Sequence, residues 1–171
     1  MFYTEIESPI GTLLLAGFDG VLTRIGFQSG PRPVRPPPHW RHDASPFQRA
    51  ISEMKAYFSG ELQVFTLQLA PEGTDFQLKV WQALSQIPYG ETRSYGELAQ
   101  SIGRPKASRA VGAANGQNPL PIIIPCHRVI GNDGSLTGFG GGMNTKAALL
   151  ELEAQNHDGP VYQLDLLEAQ S

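Results

Sequence analysis

Ser94-Tyr95-Gly96-Glu97-Leu98-Ala99-Gln100-Ser101-Ile102-Gly103-Arg104-Pro105-Lys106-Ala107-Ser108-Arg109-Ala110-Val111-Gly112-Ala113-Ala114-Asn115 holds two helix starts with one stop between them. Ser94 and Glu97 have capping-box spacing, each side chain able to satisfy the other's free backbone N–H, so a short helix should run from Ser94 to Ile102. Gly103 suits the left-handed position that ends such a helix. Pro105 lacks an N–H and is tolerated in a first turn, which predicts a second helix over Lys106–Asn115. Two short helices joined by a tight glycine turn form a helix-turn-helix. The second is built largely of small side chains, so its backbone can approach another surface closely. That surface is either a neighbouring helix or a nucleic-acid groove; a minor groove is only about 6 Å wide and suits small residues. In the second case Arg109 and Lys106 would meet phosphate or the base stack.

Upstream, Thr74 and Gln77 repeat the capping box ahead of Phe76, Val80, Trp81 and Leu84, an amphipathic helix closed by Pro88. Before Thr74 the pattern changes. Phe2–Glu7 alternates, Thr12–Ala16 is apolar, and Phe18-Asp19-Gly20 supplies a hairpin turn into Val21–Phe27. Five prolines between Gly30 and Pro38 exclude regular structure there. Ser45-Pro46 opens a helix through Phe58 that Gly60 ends, and Leu62–Leu69 alternates as a strand returning to the sheet. The reading is an α+β protein. Residues 1–73 form a small antiparallel sheet with a helix acting as scaffold, and residues 74–171 form a mostly helical working domain.

Downstream lies Pro121-Ile122-Ile123-Ile124-Pro125-Cys126-His127-Arg128-Val129-Ile130. A lone cysteine is usually a small buried hydrophobe. Here an imidazole and a guanidinium follow at once, and both would favour the thiolate, whose pKa starts near 8.5. Adjacent side chains on an extended backbone diverge, so a bridging water is the expected link between Cys126 and His127. Such a base needs an orienting group. In a helix over Asn144–Ala154, Glu153 falls about 40° from Leu149 on the leucine face, and Glu151 falls about 200° away. A carboxylate on a buried face needs a partner, so Glu153 is the candidate orienting acid and Glu151 is ordinary surface. Gly138-Phe139-Gly140-Gly141-Gly142 lacks the Gly-Lys-Ser/Thr of a phosphate loop and reads either as a connector or as bare backbone able to approach a ligand.

The net charge of −3 hides an asymmetry. Residues 1–78 carry 6 basic and 8 acidic side chains, residues 79–146 carry 7 and 3, and the last 25 carry five acids and no Lys or Arg. The middle balance of +4 is a basic working surface inside an acidic protein. One cysteine excludes an internal disulfide and a cysteine-rich zinc site. No apolar run or basic leader points to a membrane or to secretion, so the expected compartment is the cytoplasm.

These residues together resemble the O6-alkylguanine-DNA alkyltransferases, in the short form without a regulatory domain. Pro125-Cys126-His127-Arg128-Val129-Ile130 is that family's active-site motif. Phe76–Ile87, Tyr89–Tyr95, Arg109-Ala110-Val111-Gly112, Asn118-Pro119, Gly141-Gly142 and Leu149-Leu150 extend the likeness. The resemblance implies a ribonuclease H-like N-terminal fold followed by a winged helix-turn-helix. It implies irreversible, one-time transfer of an alkyl group from O6-alkylguanine, and from O4-alkylthymine, onto Cys126. His127, Glu153 and a water would form the proton relay, Tyr95 would hydrogen-bond the base and help protonate the leaving guanine, and Asn118 would brace the cysteine segment. The carbonyls of Cys126 and Val129 would accept from the exocyclic amine, and the Gly140 N–H would approach the alkylated oxygen. Pro121, Phe139 and Asn115 would line the pocket. DNA contacts would come from Ser94, Lys106, Ala107, Arg109, Ala110 and Arg128, with Arg109 replacing the extruded nucleotide.

The implied partner is double-stranded DNA carrying an alkylated base, entered through the minor groove by a monomer, with cooperativity along the DNA left open. No cofactor or metal is implied. Three positions depart from the family pattern: Phe139 where many relatives have tyrosine, Asn115 where some have an apolar residue, and Ala147-Ala148 where a Glu-Trp pair is common. Two rivals remain. A cysteine hydrolase could use Cys126, His127 and Glu153 for acyl transfer but leaves the helix-turn-helix unexplained. A non-catalytic lesion-binding module would not need Cys126.

Overall fold

The computed structural model describes residues 1–157; of the C-terminal segment 155–171, residues 158–171 lie outside it. β1 (Phe2–Ile6), β2 (Leu13–Phe18) and β3 (Val21–Phe27) pair antiparallel in sequence order. Asp19 and Gly20, at φ 50° and 76°, make the tight turn between β2 and β3 that matches strand twist. The sheet is not wholly antiparallel as expected. A two-residue strand, β4 (Arg41–His42), adds to the free edge of β1 in parallel, giving the order β3-β2-β1-β4. A parallel neighbour needs a long crossover, and the proline-rich segment supplies it.

The strand expected over Leu62–Leu69 does not form a ladder. Only a bridge between Leu22 and Leu69 joins it to β3. Its alternation still has meaning, since Leu62, Phe65, Leu67 and Leu69 pack on the core while Val64 is exposed. One backbone donor that a ladder would use, Thr66 N–H, goes instead to Glu53 Oε1 at 2.7 Å.

A 3-10 turn at Ser45–Phe47 leads into α1 (Gln48–Phe58), which buries Ala50, Met54 and Tyr57, an i, i+4, i+7 stripe, against the sheet. Both expected capping boxes are present, at Thr74/Gln77 opening α2 (Asp75–Leu84) and at Ser94/Glu97 opening α3 (Tyr95–Ser101). Gly103, at φ 74°, turns the chain after α3. The second helix of the pair starts later than expected: α4 spans Ser108–Gly116, and Pro105-Lys106-Ala107 form a turn closed by Ala107 N–H to Arg104 O. Trp81 Nε1 donates to Ala114 O at 2.8 Å and locks α4 onto α2. α5 (Met143–Asn156) completes the domain, and β5 (Arg93–Ser94) pairs in parallel with β6 (Val129–Ile130). One core runs through the sheet, α1, α2, α4 and α5, with Leu13, Met54, Leu84, Leu120 and Leu149 fully buried. Among the described residues no helix is long and apolar enough to cross a membrane.

Candidate active site

Cys126 begins a 3-10 turn, Cys126–Arg128, just before β6. The approach to it is strained. Ile122 has φ 77°, a conformation that β-branched residues rarely adopt. Asn118 holds the bend from both sides, accepting from Leu120 N–H at 2.9 Å and donating to Ile124 O at 2.7 Å. The thiol itself is 5 % exposed. It forms part of the wall of a cavity of about 300 Å³ with Phe27, Asn115, Pro121, Phe139 and Gly140. The volume lies at the lower end of the range usual for small-molecule sites. Phe27 comes from β3, so the N-terminal sheet supplies one wall. The loops close up there because Gly141 has no Cβ, which would stand 3.1 Å from the Phe27 ring.

Burial pushes the Cys126 thiol up to about 11, outweighing the opposing hydrogen bond from Asn118 and the Lys146 charge. His127 and Arg128 were expected to favour the thiolate; the shift runs the other way, with burial as its largest cause. Both side chains reach Glu153, and among the described residues no hydrogen bond joins Cys126 to the His127 ring. His127 is fully buried, with Nε2 at 2.6 Å from Glu153 Oε2 and Nδ1 without a protein partner among the described residues. Burial lowers its pKa, against the pull of Glu153, so the ring is neutral at pH 7. With Nε2–H given to Glu153, the Nδ1 lone pair is the free base.

Glu153 lies on the buried face of α5 and is 1 % exposed, while Glu151 is on the surface. Burial would raise the Glu153 carboxyl. Hydrogen bonds from His127 and Arg128, with the Arg128 charge, outweigh it and hold the group far below the usual carboxylate range. Its oxygens accept from Tyr57 Oη at 2.6 Å, Arg128 Nε at 2.7 Å, Arg128 Nη2 at 3.1 Å and Gly90 N–H at 3.2 Å. Arg128 was expected at the DNA, and this placement corrects it. The guanidinium is buried, bidentate on Glu153, bonded to Ile87 O at 2.7 Å and stacked over Tyr89 at 5.6 Å, because a buried carboxylate demands a buried cation.

The remaining candidates fall into four groups. Pro121, Asn115, Phe139 and Gly140 share the cavity with Cys126, and the Asn115 amide reaches Cys126 O only weakly, at 3.5 Å. Tyr95 stands apart, in an adjoining, more open cleft that shares Phe139 and Gly140, with its hydroxyl 2.5 Å from Thr137 Oγ1. Val129 is buried off the cavity wall, and its carbonyl accepts from Lys146 Nζ at 2.6 Å. Arg109 and Ala110 are exposed on the first turn of α4, Lys106 is exposed just before it, and Ala107 and Ser94 are half-buried beside them. Among the described residues no group of three or more His, Cys, Asp or Glu is placed to hold a metal.

Sequence reasoning missed Tyr57 and Lys146. Lys146 could have been found, since on α5 it falls about 60° from Leu149, next to Glu153. Tyr57 lies on the inner stripe of α1, but nothing local announces a partner 96 residues away.

Residues 1–71 match the family described as 6-O-methylguanine DNA methyltransferase, ribonuclease-like domain, and residues 75–155 match its DNA binding domain. The chain is 54 % identical over 156 residues to the methylated-DNA–protein-cysteine methyltransferase of Methanosarcina barkeri, covering 91 % of this chain and 99 % of that protein. It is 57 % identical over 152 residues to the Mycobacterium tuberculosis protein of the same name, covering 88 % and 91 %. The crystal structure of Mycobacterium tuberculosis OGT in complex with DNA matches with a TM-score of 0.86 at 52 % identity, covering 95 % of this chain and 98 % of that one. Two domain models that together span nearly all of the described residues, and relatives above half identity along almost their whole lengths, place this chain in the methylated-DNA–protein-cysteine methyltransferase family.

Proposed function

We infer that this protein repairs DNA directly, moving the alkyl group of an O6-alkylguanine, and of an O4-alkylthymine, onto Cys126 Sγ once per molecule. The observation that carries the reading is a single thiol in a cavity wall, preceded by a braced, strained bend and followed by a buried imidazole fixed by a carboxylate.

The chemistry follows from the protonation states. At rest the thiol keeps its proton and His127 is neutral. When the base fills the cavity, a water between Sγ and His127 Nδ1 passes the thiol proton to the imidazole, and Glu153 stabilises the imidazolium. The sulfur attacks the alkyl carbon in line; the S–C bond forms as the C–O6 bond breaks, and the electron pair leaves with the guanine. Tyr95 gives the guanine its proton and regains one from solvent, while His127 releases the one it took. The product is a thioether with no easy leaving path, so there is no turnover.

Recognition is assigned to α4. Its small residues enter the minor groove, Lys106 and Ser94 meet phosphate, and Arg109 fills the gap left by the rotated nucleotide. The exocyclic amine of the base donates to Cys126 O and to Val129 O, while Gly140 N–H faces the alkylated oxygen. The protein acts as a monomer divided near residue 73, where the chain enters the Thr74 cap. A cysteine hydrolase would leave the exposed Arg109 and the small-residue helix without a task.

Incubation with a duplex containing O6-methylguanine should add one methyl group to the peptide holding Cys126, in one-to-one stoichiometry by intact-mass spectrometry. Cys126→Ala should bind the duplex and accept nothing. Multiple turnover, or no methyl on Cys126, would exclude the reading.

A further inference from the structure

We propose that Tyr57, on the N-terminal helix α1, is a positioning residue of the alkyl-transfer relay, setting through Glu153 how strongly His127 holds a proton. The proposal rests on the function inferred above and adds a residue to it from the domain otherwise read as scaffold.

Tyr57 is completely buried. Its ring packs against Phe58, Phe65 and Tyr89, with centroids 5.3, 5.4 and 6.2 Å away, so a phenyl ring alone would satisfy the packing. Its hydroxyl donates to Glu153 Oε2 at 2.6 Å, the same oxygen that receives the His127 Nε2–H at 2.6 Å. Two short bonds on one oxygen compete for its charge. Each donor that stabilises the carboxylate reduces the charge it offers the imidazolium. Burial raises the phenol well above its ordinary range, with the Glu153 charge adding to it, so Tyr57 remains a donor at every working pH.

Glu153 and Lys146 face His127 from α5, Cys126 and Arg128 from its own segment, Tyr57 from α1, and Tyr89 from the loop after α2, with His157 beyond the Tyr89 ring. Arg128 bonds to Glu153 and Lys146 to Val129 O, and burial lowers the Lys146 ammonium below its ordinary range. Of this set only Tyr57 contributes a neutral donor to the oxygen that orients the imidazole. Removing it returns charge to Oε2, strengthens its hold on the imidazolium and raises the proton affinity of His127. A protonated His127 cannot accept from Cys126, so transfer should then fail at a higher pH.

The test is the pH profile of single-turnover alkyl transfer to Cys126, measured with O6-methylguanine DNA and with a free O6-alkylguanine. In Tyr57→Phe the acid limb should move up by about half a unit to one unit, equally for both substrates. A 3-fluorotyrosine at position 57 keeps the shape and makes a stronger donor, and should move the limb down. This second variant decides the matter should Tyr57→Phe fold poorly. A hydroxyl that merely braces the core would lower thermal stability in Tyr57→Phe and leave both acid limbs in place, which overturns the proposal. Wild-type protein that transfers normally while the variants keep its profile sinks the Tyr57 role alone; wild-type protein that accepts no alkyl group sinks the function and this role with it.

Discussion

Arg128 Nε lies 2.7 Å from Glu153 Oε1, and Nη2 of the same guanidinium lies 3.1 Å from Oε2, so the two side chains meet fork to fork inside the protein. The pair turns a residue of the reactive motif inward and makes it the electrostatic floor beneath the His127–Glu153 relay. Breaking one partner of a buried ion pair leaves the other charge unpaired, which is the expensive outcome.

Arg128→Ala should therefore destabilise the protein by about 3–5 kcal/mol, read as a lowered midpoint in urea unfolding. Arg128→Lys should recover only part of this, because an ammonium cannot make the bidentate contact and still reach Ile87 O. A loss below about 1 kcal/mol in the alanine variant would mean that Glu153 is compensated from elsewhere.

The raised thiol of Cys126 predicts a pH dependence with a definite sign. Its folded value, near 11, lies above the reference value of 9.0, so the folded state favours the protonated form. That preference contributes stability below pH 9 which disappears as the pH rises through 11. At pH 7 the folded thiol is therefore held almost entirely in its protonated form. Alkylation of the native protein by iodoacetamide should then accelerate about tenfold per pH unit from 7 to 10. Mass spectrometry on timed samples checks this, and a plateau below pH 9 would show a thiolate already present at rest.

Arg109 is exposed near the start of α4 and has no ion pair among the described residues. Arg109→Ala should slow transfer from DNA by at least tenfold, the cost of losing the group proposed to fill the emptied stack. Its reaction with a free O6-alkylguanine should be almost unchanged. Equal losses with both substrates would place Arg109 in the chemistry instead of in base extrusion.

Local rules carried far in this chain. The two capping boxes, the Asp19-Gly20 turn, the glycine after α3 and the buried face of α5 are all set by residues within four positions of one another, where backbone geometry leaves few options. Leu62–Leu69 shows the limit of such rules. Its alternation is real and its burial alternates, but a strand also needs a free neighbouring edge, and here that contact is a single bridge to Leu22.

The sequence by itself determined that a unique cysteine follows a rigid apolar run, that a small-residue helix carries Arg109, and that Glu153 must face inward. Tertiary packing alone decided the electrostatics of the site. It buried Arg128 where the family resemblance implied a DNA contact, raised the thiol where its neighbours suggested the opposite, and brought Tyr57 to a carboxylate 96 residues away. The physical reason is the same in each case. Side-chain type and spacing fix which face of an element a residue occupies, whereas a charge or a pKa depends on every group within a few ångströms, and those groups come from α1, α5 and the loops after α2 and α4 together.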